Sequence, residues 1–131
     1  APETLTCGAP FLHMHAGWLP DFRGSTTVYY SWLSERRCGV SAIVLEPEID
    51  TGPVVQRRHY PLPPQNVDMD LVYDGAIRAD LLIRTLEEFA RTGTLSSTVQ
   101  DAESGEIYYV IHPVLKHIAL LSKRDATPHH D

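Results

Sequence analysis

Two histidines, His13 and His15, lie two positions apart in an apolar, alternating stretch near the start of the chain. Side chains at i and i+2 of a β-strand project from the same face, so both rings are expected on one side of a strand. Asp50 lies in a loop between two apolar stretches, bounded by Pro47 and Gly52. A carboxylate beside an imidazole orients the ring and raises its proton affinity, which makes the three residues candidates for acid–base catalysis.

Other interpretations of these residues stay open. Buried histidines are often hydrogen-bonded core residues, and an aspartate in a turn often bonds its own backbone. Two imidazoles at i and i+2 together with a carboxylate could also converge on a zinc ion. No further strong ligand has a recognisable spacing, and so we expect no metal at this site.

The composition predicts one small, soluble globular domain. The chain has 131 residues, of which 43% are hydrophobic and 21% charged. A net charge of −6 without a basic run argues against nucleic acid as the main partner. We find no membrane-spanning run and no signal peptide. The two cysteines, Cys7 and Cys38, lack a metal or redox spacing and are expected to be reduced thiols, which suits a cytoplasmic protein.

The elements that must position the candidate residues can be predicted from periodicity. We expect a buried strand over 10–15 that ends at the histidines, and a helix over 27–37 that Ser25 or Thr26 caps and Gly39 ends. Two antiparallel strands, over 40–45 and 53–60, flank the loop that holds Asp50.

A long amphipathic helix is expected after the proline-rich break at 61–64. Its start lies near Asp68 or Asp70 and its end at Gly93. The predicted buried face consists of apolar residues spaced three or four apart: Val72, Ala76, Ala79, Ile83, Leu86 and Ala90. A strand over 107–111 and a short helix that opens at Pro113 follow. The alternation of strands and helices predicts an α/β fold, with too few strands for a complete sheet.

Three blocks of sequence resemble the folate-dependent formyltransferases. The block at 15–24, His-Ala-Gly-Trp-Leu-Pro-Asp-Phe-Arg-Gly, resembles that family's His-Pro-Ser-Leu-Leu-Pro-x-Tyr-Arg-Gly. Cys-Gly-Val-Ser at 38–41 is similar to its Thr-Gly-Val-Thr, and Ile-Asp-Thr-Gly-Pro-Val at 49–54 is similar to its Ile-Asp-Thr-Gly-Pro-Ile. The resemblance covers about 12–60. It implies that residues 1–131 form the C-terminal portion of a formyltransferase domain, with a partial Rossmann-like sheet of mixed strand direction that lacks its upstream strands.

The resemblance also implies roles for individual residues. His15 corresponds to the family's catalytic histidine and Asp50 to its aspartate, whereas His13 stands where the family has an asparagine. His13 could donate to an oxyanion, mark an altered or inactive branch, or only pack. The folate's pterin ring would be lined by the backbone of the Asp50 loop, which comprises Val44, Leu45, Glu46, Pro47, Glu48, Ile49 and Asp50.

The implied function is N-formyl transfer from 10-formyltetrahydrofolate to a small-molecule amine. The segments 25–31 and 108–117 resemble homologues associated with amino sugars, so an amino-sugar nucleotide is the preferred acceptor. Arg23, Tyr29 and Tyr30 are candidates to bind it. The tyrosines could instead be core aromatics, and Arg23 could anchor the turn through backbone carbonyls.

Two further functions remain possible: hydrolysis of the formyl-folate, with water in place of the amine, and a non-catalytic binding or assembly module. A partial sheet exposes a strand edge and apolar surface. We therefore expect self-association or pairing with a missing N-terminal half.

Overall fold

A computed structural model describes residues 8–101 and 103–123, so the prediction for Cys7 lies outside the described residues. The elements, in chain order, are β1 (Leu12–His15), β2 (Phe22–Gly24), α1 (Thr27–Glu35), β3 (Cys38–Val44), β4 (Val54–Tyr60), a π-helical turn (Met69–Tyr73), α2 (Asp74–Thr92), β5 (Glu106–Tyr108) and α3 (Pro113–Leu121). In these two ranges, no helix combines the length and apolar character that crossing a membrane requires.

The main sheet has three strands in the order β1-β3-β4, and both pairings are antiparallel. In the β1–β3 pairing, His13 lies opposite Ile43 and His15 opposite Ser41. The predicted antiparallel pair on either side of the Asp50 loop is confirmed as β3 and β4. β2 and β5 form a second, parallel pair. The chain therefore has the predicted α/β fold with mixed strand directions.

The central strand β3 is buried on both faces. Cys38, Val40 and Ala42 belong to the core cluster that also contains Trp32 of α1 and Leu81 of α2. The alternate side chains of a strand point to the opposite face, and there the turn that follows β1 covers the sheet. Burial on both sides explains why β3 has almost no polar residue, a pattern more usual in parallel sheets.

The prediction that Gly39 ends the first helix is wrong. Arg36 closes α1 in the left-handed conformation, with φ of 58°, and its N–H donates to the Trp32 carbonyl at 3.1 Å. Gly39 lies inside β3, where an added Cβ would come within 3.0 Å of Trp18. Thr26 occupies the predicted N-cap position without capping the helix, because its hydroxyl accepts from the Ile111 N–H at 2.8 Å instead.

Both ends of the long helix are confirmed, with Asp68 capping the π-helical turn that leads into α2 and Gly93 ending α2 at φ of 74°. The predicted buried face is wrong. The buried residues of α2 are Ile77, Leu81 and Thr85, which pack toward the sheet. The predicted face is exposed, and we call it the outer stripe: Val72, Ala76, Ala79, Ile83, Leu86 and Ala90. The helix is apolar on two sides, and periodicity alone does not show which side meets the sheet.

Toward the end of the chain, the strand predicted over 107–111 is shorter and earlier, at Glu106–Tyr108. The helix that opens at Pro113 is confirmed, and the His112 side chain caps it by accepting from the Val114 N–H at 3.2 Å. Ala119 is its buried residue, and its larger apolar side chains are exposed.

Candidate active site

His15 is the last residue of β1, and only 6% of its surface is exposed. Its Nε2 lies 2.7 Å from the carbonyl oxygen of Phe22. A carbonyl can only accept a hydrogen bond, so this nitrogen carries the proton of the neutral ring. The other nitrogen, Nδ1, lies 3.5 Å from Oδ1 of Asp50. The buried ring therefore has one fixed donor, and its lone pair points toward a carboxylate.

Asp50 lies in the loop between β3 and β4 in the left-handed conformation, with φ of 52°. Its Oδ2 accepts from the Gly24 N–H at 2.8 Å, which leaves Oδ1 directed at His15. The Gln100 amide donates to the carbonyls of Asp50 and Gly52 at 2.9 and 2.6 Å. A Cβ at Gly52 would lie 1.7 Å from the Val44 carbonyl, so the loop needs glycine there. These contacts fix the carboxylate before any ligand binds.

The turn after β1 holds the His15 ring from the other side. The Ser41 hydroxyl donates to the Gly17 carbonyl at 2.7 Å and accepts from the Leu19 N–H at 3.0 Å. A Cβ at Gly17 would lie 2.6 Å from both His15 Nε2 and the Phe22 carbonyl oxygen. Glycine at this place therefore lets the backbone pass close to the imidazole.

The surroundings of His15 favour its neutral form. Burial lowers the pKa of the imidazole, since desolvation disfavours its charged form. The Asp50 charge and the hydrogen bond to Phe22 oppose this effect, while His13 and Arg78 add to it. The net direction is downward from 6.5, so the ring is neutral near pH 7 and can accept a proton at Nδ1.

A cavity of about 370 Å³ opens beside the pair, and we call it the active-site cavity. Its lining includes His13, His15, Tyr29, Asp50, Asp70 and Arg78. His13 is half-buried, and its ring centroid lies 6.4 Å from that of His15. One potential ligand atom from each of His13, His15 and Asp50 lies within 4.8 Å of the other two. The structure thus brings together the three residues that the sequence singled out.

The residues predicted to bind the acceptor are more scattered. Tyr29 borders the active-site cavity, and its hydroxyl donates to Asp70 Oδ1 at 2.7 Å. The Tyr30 hydroxyl donates to the Tyr109 carbonyl at 2.9 Å. Arg23 is buried, and its guanidinium donates to the carbonyls of Asp101 and Ser104 at 2.9 and 2.6 Å, which is the anchoring arrangement that the sequence left open.

The loop predicted to line the pterin ring is largely exposed. The backbone N–H groups of Val44 and Leu45 are hydrogen-bonded to the carbonyls of Pro53 and Phe11. The next four residues, Glu46, Pro47, Glu48 and Ile49, are exposed up to the half-buried Asp50. Of the seven residues of this loop, Asp50 lines the active-site cavity.

Sequence reasoning missed several residues that complete the site: Gly24, Asp70, Asp74, Arg78 and Gln100. Arg78 pairs with Asp74 at the edge of the active-site cavity. Gln100 reaches the Asp50 loop from fifty positions further along the chain. Local spacing carries no signal for such contacts, because folding alone brings these positions together.

No protein-family model matches the chain. The methionyl-tRNA formyltransferase of Roseiflexus castenholzii is 34% identical over 93 residues, which are 70% of this chain and 29% of that protein. The corresponding protein of Sorangium cellulosum is 31% identical over 116 residues, which are 87% of this chain and 34% of that protein. The chain thus spans about a third of the length of these relatives.

Solved structures show the same fold. The formyltransferase PseJ from Anoxybacillus kamchatkensis, in complex with UDP-4,6-dideoxy-4-formamido-L-AltNAc and tetrahydrofolate, superposes with a TM-score of 0.59 at 19% identity. That match covers 76% of this chain and 52% of PseJ. HypX from Aquifex aeolicus gives a TM-score of 0.66 at 20% identity, over 97% of this chain and 25% of HypX.

Proposed function

The chain belongs to the formyltransferase family, and on that premise we propose that it carries the catalytic residues of an N-formyltransferase. The formyl donor is 10-formyltetrahydrofolate and the acceptor is an amine. The observation that carries this proposal is the pair of buried His15 and half-buried Asp50 at the wall of an open cavity. Neutral His15 offers a lone pair at Nδ1, and Asp50 is held in place to stabilise the ring once it is protonated.

The proposed reaction begins when the amine attacks the formyl carbon. A new C–N bond forms, and the carbonyl oxygen becomes the oxyanion of a tetrahedral intermediate. His15 accepts the proton that the amine loses, and Asp50 stabilises the resulting imidazolium. The oxyanion then re-forms the C=O bond, the C–N bond to the folate breaks, and His15 returns the proton to the folate nitrogen. His13, at the cavity wall, is placed to donate a hydrogen bond to the oxyanion.

Several solved relatives support a formyl-folate donor. PseJ was crystallised with tetrahydrofolate, and an N-formyltransferase from Helicobacter canadensis with folinic acid and dTDP-3-aminofucose. Each has the fold of this chain, with TM-scores of 0.59 and 0.58. The Asp50 loop is the part of this chain that we propose contacts the pterin, through residues 44–50.

An amino-sugar nucleotide is the acceptor that we propose, since both of those relatives were crystallised with a sugar nucleotide. The carboxylates of Asp70 and Asp74 border the active-site cavity and are paired with Lys116 and Arg78, so this wall of the cavity carries charged groups of both signs that can bind a polar acceptor. The curated relatives are named for methionyl-tRNA, but the net charge of −6 on this chain favours a small acceptor over a nucleic acid. Tyr29, which borders the active-site cavity, is the candidate to contact the acceptor that the structure favours. Tyr30 stays a candidate, whereas buried Arg23 is used to anchor the backbone at Asp101 and Ser104.

The exposed apolar residues of the outer stripe of α2 support the proposal that a partner binds this chain. Ile83 is 56% exposed and Leu86 is 50% exposed, and α3 exposes further apolar side chains. Clusters of exposed apolar residues mark interaction sites in soluble proteins. We propose that a second polypeptide segment covers it, either an upstream part of a formyltransferase domain or another copy of this chain. Replacing both Ile83 and Leu86 with lysine should abolish the association in a sedimentation experiment, and an unchanged mass distribution would contradict this role.

The donor site is tested by titrating the purified chain with folinic acid in a calorimeter. We expect saturable binding that Asp50→Asn weakens at least tenfold, because the change removes the charge opposite His15. Asp21→Asn serves as the matched control, since Asp21 is exposed in the turn. Absence of binding to a chain that melts cooperatively would contradict the proposal.

The same pair of residues could serve hydrolysis of the formyl-folate or belong to a non-catalytic module. Product analysis separates the first alternative, because hydrolysis yields free formate without an amine. His15→Ala separates the second, since it should remove transfer while leaving assembly unchanged.

A further inference from the structure

The pairing of His15 with Asp50 leaves a gap suited to a cation. The neutral imidazole carries its proton on Nε2, which donates to the Phe22 carbonyl at 2.7 Å. Its Nδ1 lone pair therefore faces Asp50 Oδ1 across 3.5 Å. Two acceptors facing each other repel, unless a proton or a metal ion lies between them.

The spacing of these two atoms matches a metal site. Zinc binds imidazole nitrogen and carboxylate oxygen at about 2.0–2.1 Å with tetrahedral geometry, which places neighbouring ligand atoms about 3.4 Å apart. The observed separation of His15 Nδ1 and Asp50 Oδ1 is 3.5 Å. Both atoms can therefore bind one ion without a change in the backbone.

His13 supplies a third ligand. It lies on the same face of β1 as His15, and one of its ring nitrogens falls within the 4.8 Å cluster formed with the other two residues. Two imidazoles and one carboxylate form a ligand set typical of zinc and of other divalent transition metals.

The hydrogen bonds that orient His15 and Asp50 are of the kind found around the ligands of metal sites. The His15 Nε2–H donates to the Phe22 carbonyl, and Asp50 Oδ2 accepts from the Gly24 N–H at 2.8 Å. Such contacts set the ring tautomer and leave the other atom of each ligand directed at the ion. All three residues line the active-site cavity, from which water or a substrate oxygen could supply a fourth ligand.

We infer that His13, His15 and Asp50 form a binding site for a divalent transition metal ion such as Zn²⁺. This inference replaces the expectation of a metal-free site, and it does not depend on the proposed function. His13 is the decisive residue, because the asparagine that the formyltransferase resemblance implies at this position would leave only two strong ligands. A metal ion and a proton would compete for His15 Nδ1, so the loaded chain would lack the base used for formyl transfer.

Titration with Co²⁺ tests the inference, because four-coordinate Co²⁺ has intense visible absorption bands that report its ligands. His129 and His130 are replaced with alanine throughout, so that the histidines near the C-terminus do not contribute. We expect one equivalent of Co²⁺ to develop these bands and Zn²⁺ to displace it. His13→Asn and Asp50→Asn should each weaken binding at least tenfold. His59→Asn is the matched control, since His59 stacks on Trp18 with the ring centroids 3.8 Å apart, outside the cluster.

Co²⁺ binding that His13→Asn weakens and His59→Asn leaves unchanged would support the inference. Absence of the bands, or binding equally strong in the His13 variant, would overturn it. Thermal melts of every variant confirm that loss of binding is not loss of fold. Folinic acid binding is measured separately, so a failure of the metal site is distinguishable from a failure of the proposed function.

Discussion

The active-site cavity and the outer stripe of α2 lie on the same small fold. They differ in whether their side chains have partners within the chain. In the cavity, His15 and Asp50 each have hydrogen-bond partners from other elements. On the outer stripe, Ile83 and Leu86 are half exposed to solvent. The polar groups of the first region are held by contacts among the described residues, whereas the second has apolar surface that nothing in the described residues covers.

The difference shows which structural features residue identity predicts and which ones periodicity predicts. Few residue types can act as an acid–base pair, so His15 and Asp50 were identifiable from their identity and their sequence context. Apolar residues are common, and α2 has two apolar sides. One side, with Leu81, packs on the sheet, and the other is exposed. A helical period predicts a helix, but it does not tell a core face from a face that binds a partner.

Matched leucine substitutions on α2 should give the largest contrast. Leu81 is fully buried and Leu86 is 50% exposed. We expect Leu81→Ala to lower the free energy of unfolding by about 2–5 kcal/mol, because it leaves a cavity in the core. Leu86→Ala should change it by less than about 0.5 kcal/mol in the isolated chain. Urea unfolding measures both free energies. Equal losses would show that the buried and the exposed face of α2 have been assigned wrongly.

Two serine substitutions test how much the turn after β1 contributes to stability and to the position of His15. Ser41 is fully buried and bridges Gly17 and Leu19, whereas Ser34 is exposed on α1. Ser41→Ala should cost about 1–3 kcal/mol, since it leaves buried backbone groups without a partner. Ser34→Ala is the control and should have little effect. A stable Ser41→Ala chain with unaltered folinic acid affinity would argue that the turn does not position His15.

Tyr29 lines the active-site cavity and contacts the π-helical turn that precedes α2. Its hydroxyl donates to Asp70 at 2.7 Å, and burial raises its pKa, with further contributions from the Asp70 hydrogen bond and charge. Tyr29→Phe should lower the free energy of unfolding by about 0.5–1.5 kcal/mol. Tyr109→Phe is the control, because Tyr109 is 80% exposed. Equal effects of the two changes would mean that the bond to Asp70 contributes nothing.

A fall in pH should lower the stability of the chain gradually. The folded-state pKa of His15 lies below its ordinary value of 6.5, chiefly because the ring is buried. The unfolded chain therefore binds a proton before the folded one, and stability should fall as the pH drops from about 6.5 through the folded pKa. His59 acts in the same direction, since burial also lowers its pKa. His15→Asn should flatten the pH dependence of the melting temperature, and an unchanged slope would contradict the lowered pKa.

Much of the fold and of the site was predictable from sequence. The antiparallel pair around the Asp50 loop, the start of the long helix near Asp68 or Asp70 and the end of α2 at Gly93 all follow from local signals. Arg36 was missed because a non-glycine residue rarely adopts the left-handed conformation that ends α1. Gln100 was missed because its contact with the Asp50 loop joins distant parts of the chain, which no local pattern encodes.

Formyl transfer by His15 variants tests the central claim most directly. Labelled 10-formyltetrahydrofolate is incubated with the purified chain and amino-sugar nucleotides, and labelled amide is counted in the presence of a metal chelator. We predict that His15→Ala lowers the rate by about 10²–10⁴, the usual contribution of a positioned acid–base group. His59→Ala should leave the rate within a few-fold of the original. A His15→Ala chain that transfers formyl at the original rate would contradict the account.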